Sequence, residues 1–171
     1  NKTYAIATIG AGSVGTMFSS INYNTYFVNG SNPNIGTFGQ TDRLDLVAFQ
    51  AATTQDGSSQ DVDPQFISKT DLHLSNPSNT IVGGGTPLAG VTVDYDNDPR
   101  PATTPDIGAD EIVGYQGGPL AAGTYYNVSI GVGALGGDVT VTNRLYLQGD
   151  VNAGGFTMTL GCNASVVGAG P

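Results

Sequence analysis

The stretch from residue 94 to residue 111 says most about how this chain is built. It reads Asp-Tyr-Asp-Asn-Asp-Pro-Arg over residues 94–100 and Pro-Asp-Ile-Gly-Ala-Asp-Glu over residues 105–111. Asp side chains cap backbone N–H groups in turns, and Arg can hold a carboxylate in a bidentate pair. The pattern therefore predicts an acid-capped turn centred on an arginine. The residues expected to hold this turn are Arg100, Asp106, Gly108, Asp110 and Glu111.

The same stretch has a second interpretation, a calcium site. Asp94, Asp96 and Asp98 have the i, i+2, i+4 spacing with which an EF-hand loop begins. Pro99 stands where that loop needs its glycine, and Pro105 stands where it needs its bidentate glutamate. On an extended strand the three carboxylates would share one face, where their repulsion calls for a cation or a hydrogen-bonding partner. Ca²⁺ is the only cofactor that this pattern suggests, and the acid-capped turn is the competing interpretation.

The carboxylates at the end of this stretch raise the question of catalysis. Asp106, Asp110 and Glu111 could act as the paired acids of a glycosidase. However, Asp106 precedes Ile107 and Gly108, a setting typical of a turn residue, and the chain has only 5 Lys and Arg to assist. We therefore predict no catalytic residue and no enzyme activity, with a polysaccharide lyase or hydrolase as the enzyme alternative.

The chain has one histidine and one cysteine, which limits the kinds of catalytic and metal site that it can form. His73 lies in Asp71-Leu72-His73-Leu74, where an alternating strand would point it to solvent, away from the two leucines. One histidine cannot build a multi-histidine zinc site, and it fits a Ser-His-Asp triad poorly. Cys162 cannot form an internal disulfide. We expect it to be a small buried apolar side chain.

The composition favours strands and turns. Charged residues make up 11% of the chain, against about 25% in an average soluble domain. Gly, Asn and Ser, which suit turns and weaken helix interiors, take their place. The net charge of −9 argues against binding nucleic acid or anionic membranes. No apolar run approaches the roughly 20 residues that a membrane-spanning helix needs, so we expect no membrane insertion.

One stretch predicts a helix, capped by Thr41 or Asp42 and ending near Thr53. We expect it to cover an edge or an end of a sheet. Its apolar face would hold Leu44, Val47, Ala48 and Ala51. Around it, short β-rich runs alternate with turns at residues 3–9, 21–28, 63–67, 71–74, 80–82 and 90–95.

The residue pattern changes after a Gly-rich segment at residues 114–123, which we interpret as a linker. Beyond it, apolar residues alternate cleanly in short runs, a pattern typical of hairpins, of a sandwich or of solenoid rungs. The alternating sets are Val139/Val141, Leu145/Leu147 and Phe156/Met158/Leu160. The sequence thus predicts an all-β chain with two modules, residues 1–113 and residues 124–171, the second truncated.

Residues 10–15 read Gly-Ala-Gly-Ser-Val-Gly, a formal match to the dinucleotide-binding pattern G-x-G-x-x-G. A Rossmann unit also needs a helix after the third glycine and an acidic residue about 20 positions further on. The residues that follow favour strands, and no acid occurs before Asp42. We interpret the glycines as tight turns.

Several motifs of the first module, taken in order, resemble a known family. They are LVAFQAATTQD at 46–56, DVDPQF at 61–66, DLHL at 71–74, GVTVDYDNDPR at 90–100 and PDIGADE at 105–111. Together they resemble the C-terminal part of right-handed parallel β-helix domains in large secreted and cell-surface proteins of Bacteroidetes-type bacteria. The resemblance implies a β-helix end with one short capping helix. The second module resembles the Gly/Thr-rich β-repeats, a β-solenoid or a β-sandwich, that accompany such domains.

The resemblance also implies location and role. It implies export, often by a type IX route, and an extracellular or cell-surface position. We predict a non-enzymatic structural or adhesion segment of a large surface protein: a stalk, a fibre or an adhesin body. The alternatives are a carbohydrate-binding or polysaccharide-active β-helix and a self-assembling filament subunit. The expected partners are other segments of the same chain, surface glycans, or copies of the chain itself, and not nucleic acid.

Overall fold

The computed structural model describes residues 2–7, 18–115, 119–131 and 133–168. Strands form most of the regular structure of these residues, and one short helix lies among them, in keeping with the predicted all-β class. The Gly-rich pattern at residues 10–15 lies outside the described residues. The strands are β1 (Thr3–Ala7), β2 (Thr25–Tyr26), β3 (Pro33–Phe38), β4 (Thr41–Arg43), β5 (Gln60–Asp61), β6 (Val113–Tyr115), β7 (Pro119–Leu120), β8 (Gly123–Ile130), β9 (Gly133–Leu135), β10 (Val139–Leu147), β11 (Val151–Asn152), β12 (Met158–Leu160) and β13 (Ser165–Gly168); the helix is α1 (Leu46–Thr53).

Two small sheets form the N-terminal part. Strand β3 pairs in parallel with β1 and antiparallel with β4, and β2 pairs in parallel with β5. Tyr26, Ile35 and Phe49 form their shared core, with the Tyr26 and Phe49 ring centroids 6.0 Å apart. Gly36 is required beside this core, because a Cβ there would lie 2.6 Å from a ring carbon of Phe49.

Helix α1 begins later than the sequence predicted. Asp45 is its N-cap, and the Oδ1 of Asp45 accepts a hydrogen bond from the Ala48 N–H at 2.8 Å. The predicted caps, Thr41 and Asp42, lie instead in β4. The prediction was wrong because β4 pairs with β3 and so takes these residues into the sheet.

The buried face of α1 also differs from the prediction. Phe49 is fully buried and Thr53 is buried, whereas Leu44 and Val47 are 71% and 73% exposed. Phe49 and Thr53 are four residues apart and therefore lie on one helix face. Burying the aromatic ring removes more apolar surface from water than burying the smaller residues of the predicted face.

Residues 62–112 form an irregular region with almost no strand. Its β-structure consists of two isolated bridges, Phe66 with Leu74 and Val93 with Pro99. The strands predicted at 63–67, 71–74, 80–82 and 90–95 are therefore wrong as continuous strands. The region still has a core, formed by Leu74, Ile81, Ile107 and Ile112 together with Tyr146 of β10.

Strands β6 to β13 lie in two sheets whose strand pairs are all parallel. The first has the order β12-β10-β8-β6, with β13 also paired to β10, and the second has the order β11-β9-β7. The runs in which alternation predicted strands lie in these sheets: Val139/Val141 and Leu145/Leu147 are in β10, and Met158 and Leu160 are in β12. Leu120 and Leu135 of the second sheet pack with Val128, Val141 and Leu145 of the first, so the core lies between the sheets.

Two details of this region differ from the prediction. Phe156 and Leu160 are 44% and 40% exposed, although alternation placed them with Met158 on a buried face. Met158 is the member of that set that packs on the core. Cys162, predicted to be buried, is a free and exposed thiol, because it lies in the turn between β12 and β13.

The two predicted modules are in contact. Part of the predicted linker, residues 114–123, is in β6 and β7, which pair with β8 and β9. The Tyr146 hydroxyl donates to the Leu74 carbonyl at 3.3 Å, joining β10 to the irregular region. The module boundaries at 113 and 124 stay a prediction. No described helix is long and apolar enough to cross a membrane.

Candidate functional site

The side chains of the acidic stretch and of His73 form one cluster where the irregular region meets β8. Turns bring its side chains together from three separate segments of the chain. We call this cluster the acidic junction: His73, Asp94, Asp96, Asp98, Arg100, Asp106, Asp110 and Glu111.

Arg100 is at the centre of one half of the acidic junction. It donates from Nη1 to the Gly108 carbonyl at 3.0 Å and from Nη2 to the Asp106 carbonyl at 2.7 Å. Its Nη2 also lies 3.0 Å from Oε1 of Glu111, which accepts the Asp106 N–H at 2.7 Å. Gly108 has a φ of 126°, which side chains rarely adopt. Arg100 thus closes residues 105–111 into a fixed loop.

Asp106 and Asp110 act as acceptors for distant backbone groups. The two oxygens of Asp106 accept from the Gly83 N–H at 2.6 Å and from the Ile112 N–H at 2.9 Å. Oδ2 of Asp110 accepts from the Leu74 N–H at 2.7 Å. Backbone N–H groups that have no strand partner are satisfied in this way. The structure therefore brings the predicted structural residues together around the irregular region.

Burial shapes the ionisation of these acids. It raises the pKa of Asp106 and of Asp110 to about 6 each, against the backbone hydrogen bonds that favour the charged form. Burial, together with the neighbouring Asp106, raises the pKa of Glu111 to about 8, and the Arg100 charge opposes this rise. Arg100 is the one arginine of the acidic junction, and its single positive charge cannot neutralise all of these carboxyl groups.

Residues 94–98 form a tight turn, so the extended strand considered for the calcium site is wrong. Oδ1 of Asp94 accepts from the N–H groups of Asp96 and Asp98, each at 2.8 Å, and Oδ2 accepts from the Glu111 N–H at 2.9 Å. Asn97 completes the turn with a φ of 70°. The Asp94 carboxylate is thus engaged by three backbone N–H groups.

Asp98 joins this turn to β8. Its carboxylate accepts from the Tyr126 N–H, at 2.8 Å to Oδ2, and from the Asn127 N–H at 3.3 Å. Burial raises the pKa of Asp98 to about 6. Asp94, Asp96 and Asp98 therefore have different partners, and the calcium site that combines them stays a prediction.

His73 lies on the other half of the acidic junction. Its Nε2 is 2.7 Å from Oδ2 of Asp96, and its Nδ1 is hydrogen-bonded to Asp71. Its ring centroid lies 4.4 Å from that of Tyr126, and 18% of the side chain is exposed. The prediction of a solvent-facing histidine was wrong, because residues 71–73 are not a strand and the ring packs against β8.

Burial lowers the pKa of His73, but the hydrogen bonds to Asp71 and Asp96 and the charge of Asp110 outweigh it, so the pKa is raised. The hydrogen bond to His73 in turn lowers the pKa of Asp71. One ligating atom each from His73, Asp96 and Asp110 lies within 4.8 Å of the other two. These three side chains can therefore hold a metal ion.

Sequence reasoning missed His73 as a member of the acidic junction, and Asp71 and Tyr126 as the neighbours of His73. His73 is 23 residues from Asp96 in the chain, so no local spacing connects them. The one usable signal was the Asp71-x-His73 pair, which places a carboxylate beside the imidazole.

A wide cleft of about 950 Å³ lies beside Asp110. Tyr23, Phe27 and Phe66 line it and are 37%, 46% and 43% exposed, and Lys69 is also part of its wall. Such partly exposed rings offer apolar faces to a ligand.

Comparison with protein-family models, with curated proteins and with solved structures gives no match for this chain. The resemblance of its motifs to β-helix domains therefore stays a prediction, as do the location and role that it implies.

Proposed function

We propose that this chain is a β-solenoid segment with a structural role at the bacterial cell surface. In this proposal it combines the end of a right-handed parallel β-helix with a second β-repeat module, and it serves as part of a stalk, fibre or adhesin body. The observation that carries the proposal is the regular alternation of successive strands, from β6 to β11, between two parallel sheets.

The strand register supports stacked rungs. Val113 of β6 lies opposite Val128 of β8, which lies opposite Leu145 of β10, which lies opposite Val166 of β13. In the second sheet, Pro119 pairs with Ala134. Each passage through the two sheets thus adds one strand to each, and its apolar side chains pack against the neighbouring passages, as in solenoids.

The state of the buried acids supports a structural role over an enzymatic one. Asp106, Asp110 and Glu111 are 3%, 7% and 2% exposed, and each accepts a hydrogen bond from a backbone N–H group. A general acid must reach the oxygen of its substrate within about 2.6–3.2 Å. Carboxyl groups that are buried and bonded to the backbone are suited to holding loops in place. The extracellular location and type IX export rest on the motif resemblance.

A carbohydrate-binding role is the second candidate, favoured by the aromatic cleft. Tyr23, Phe27 and Phe66 offer exposed ring faces of the kind that stack on sugars. If the cleft binds glycans, Phe66→Ala should abolish binding on a glycan array, while Phe156→Ala, which removes an exposed ring outside the cleft, should leave it unchanged.

The structural proposal is tested by combining small-angle X-ray scattering with an activity screen. We expect an elongated particle and no depolymerisation of acidic or neutral polysaccharides. Depolymerisation that disappears in Asp106→Asn or Glu111→Gln, but persists in Asp150→Asn, would overturn the proposal in favour of an enzyme. Electron microscopy of the same sample would support the filament alternative if it shows regular fibres.

A further inference from the structure

We propose that His73, Asp96 and Asp110 form a binding site for a divalent transition-metal ion, with Zn²⁺ as the preferred ion. The site is independent of the structural role proposed above. Its ligands come from three separate turns, at residues 71–74, 94–98 and 107–110, so an ion there would tie these turns together.

The geometry brings one ligating atom from each residue close to a common point. The three atoms lie within 4.8 Å of one another. Around an ion with bonds of about 2.0–2.2 Å, tetrahedral ligand atoms are about 3.3–3.6 Å apart. Two of these atoms at the 4.8 Å limit would have to approach each other by about 1.2–1.5 Å to reach that spacing.

Asp110 gives an independent indication of a missing partner. The residue is 7% exposed, and its Oδ2 is fixed by the Leu74 N–H at 2.7 Å. Its Oδ1 is buried and has no hydrogen-bond partner among the described residues. A buried carboxylate oxygen without a partner is costly. A cation next to His73 and Asp96 would supply the missing interaction.

The surroundings of His73 match those of a metal-bound histidine. Ligating histidines usually donate their other ring N–H to a carboxylate, which fixes the tautomer and the ring orientation. Asp71 occupies this position at Nδ1, so Nε2 can present its lone pair on the side of Asp96. The Tyr126 ring at 4.4 Å restricts rotation of the imidazole.

The ligand set indicates which ions bind. One imidazole nitrogen with two carboxylates suits Zn²⁺, which accepts His and Asp ligands at four-coordinate sites. Ca²⁺ takes six to eight oxygen ligands and is disfavoured by the imidazole. Three protein ligands leave one coordination position for water. Without a metal, a proton shared between His73 and Asp96 holds the same place, so metal and proton compete for Nε2.

The test is isothermal titration of the metal-stripped 171-residue chain with ZnCl₂, MnCl₂ and CaCl₂ separately at pH 7.5. We expect one Zn²⁺ per chain, with a dissociation constant in the micromolar range or below, and a higher melting temperature in its presence. Asp96→Asn should weaken Zn²⁺ binding at least about tenfold, as should His73→Gln and Asp110→Asn. Asp71→Asn, which leaves all three ligands in place, should weaken it about 10–100-fold.

Asp96→Asn is the most informative variant, because the Asp96 carboxylate bonds to His73 and has no backbone partner among the described residues. It should therefore fold even where Asp110→Asn does not. Asp150→Asn is the matched control: it removes one exposed acid outside the acidic junction and should leave Zn²⁺ affinity unchanged. The proposal is overturned if Zn²⁺ does not bind below millimolar concentration, or if Asp96→Asn and His73→Gln bind Zn²⁺ as tightly as the wild type does. It is also overturned if Ca²⁺ binds more tightly than Zn²⁺ and the His73→Gln variant keeps its Ca²⁺ affinity.

Discussion

Residues 62–112 contain no strand beyond two single bridges, whereas residues 113–168 run mostly in paired parallel strands where the structure describes them. Both regions nevertheless bury an apolar core, Ile81 and Ile112 in the first, Val128 and Val141 in the second. They differ in how buried backbone N–H groups find acceptors. In the second region the neighbouring strand provides them.

In the irregular region turn carbonyls provide some of the acceptors, and carboxylates provide others. The N–H groups of Leu74, Gly83 and Ile112 each bond to a buried Asp side chain. Each such point of attachment of a loop to its neighbours depends on one side chain. In a pair of strands, by contrast, the hydrogen bonds that hold the chain are shared among many backbone groups. The irregular region should consequently be more sensitive to single polar substitutions and to pH.

The largest effect is expected for Asp106→Ala. It leaves the buried N–H group of Ile112 and the partly buried N–H group of Gly83 without their carboxylate acceptor, and each such loss costs about 1–3 kcal/mol. We expect the free energy of unfolding to fall by roughly 2–6 kcal/mol in urea denaturation. Asp106→Asn keeps one oxygen acceptor and should cost less. Equal losses in the two variants would contradict the role given to these hydrogen bonds.

In residues 113–168, the region of parallel strands, a comparable loss of stability requires the removal of buried apolar volume. Leu145 of β10 is 4% exposed and packs between the two sheets. Leu145→Ala should lower the free energy of unfolding by roughly 2–5 kcal/mol, through lost burial and the cavity that remains. Leu145→Met, which keeps the volume, should cost less than about 1.5 kcal/mol. If Leu145→Met were as damaging as Leu145→Ala, packing would not explain the stability of this region.

The irregular region should also give the chain an unusual pH dependence. Burial raises the pKa of Asp106 from 3.8 to about 6, so the folded chain binds a proton that the unfolded chain has already lost in this window. Stability is therefore highest near pH 4 and falls as the pH rises towards 6, by on the order of 2 kcal/mol. Asp98 and Asp110 shift in the same direction. Urea denaturation of the metal-free chain between pH 4 and pH 7 measures this slope.

Asp106→Asn is the control for the pH dependence, because it removes one of the titrating groups and should reduce the slope between pH 4 and pH 6. Groups with lowered pKa values, such as Asp71, act in the opposite direction but only below about pH 4. A stability that rises steadily from pH 4 to pH 6 would show that the backbone hydrogen bonds outweigh burial.

Some features that depend on local chemistry could be anticipated from the sequence. The turn around Arg100 could be anticipated because Asp capping and Arg pairing act within a few residues. The strand at residues 139–147 could be anticipated in part, because Val139 and Val141 alternate with polar residues. Tyr146 was missed as a core residue, since it packs on the other face of β10, against Leu74 of the irregular region.

Features that depend on distant contacts were not predicted. His73 meets Asp96 and Tyr126 only because two turns converge on strand β8, and no spacing in the sequence encodes that. The β-rich runs between residues 63 and 95 satisfy intrinsic strand preference, but their backbone groups bond to side chains and turns instead. Burial of Phe49 likewise depends on the position of Gly36, which opens the space for its ring.

The smallest effect is expected where an Asp carboxylate accepts a backbone N–H at the surface. Oδ1 of Asp138 accepts from the Thr157 N–H at 2.8 Å, joining the residue before β10 to the residue before β12, but this bond is exposed. In Asp138→Ala, water can take the place of the carboxylate, so the free energy of unfolding should fall by only about 0.5–1 kcal/mol. The same urea denaturation as for Asp106→Ala measures it. A loss as large as that of Asp106→Ala would mean that the hydrogen bond itself, buried or exposed, sets the loss of stability. A small loss would mean that single substitutions destabilise the irregular region because its acceptors are buried.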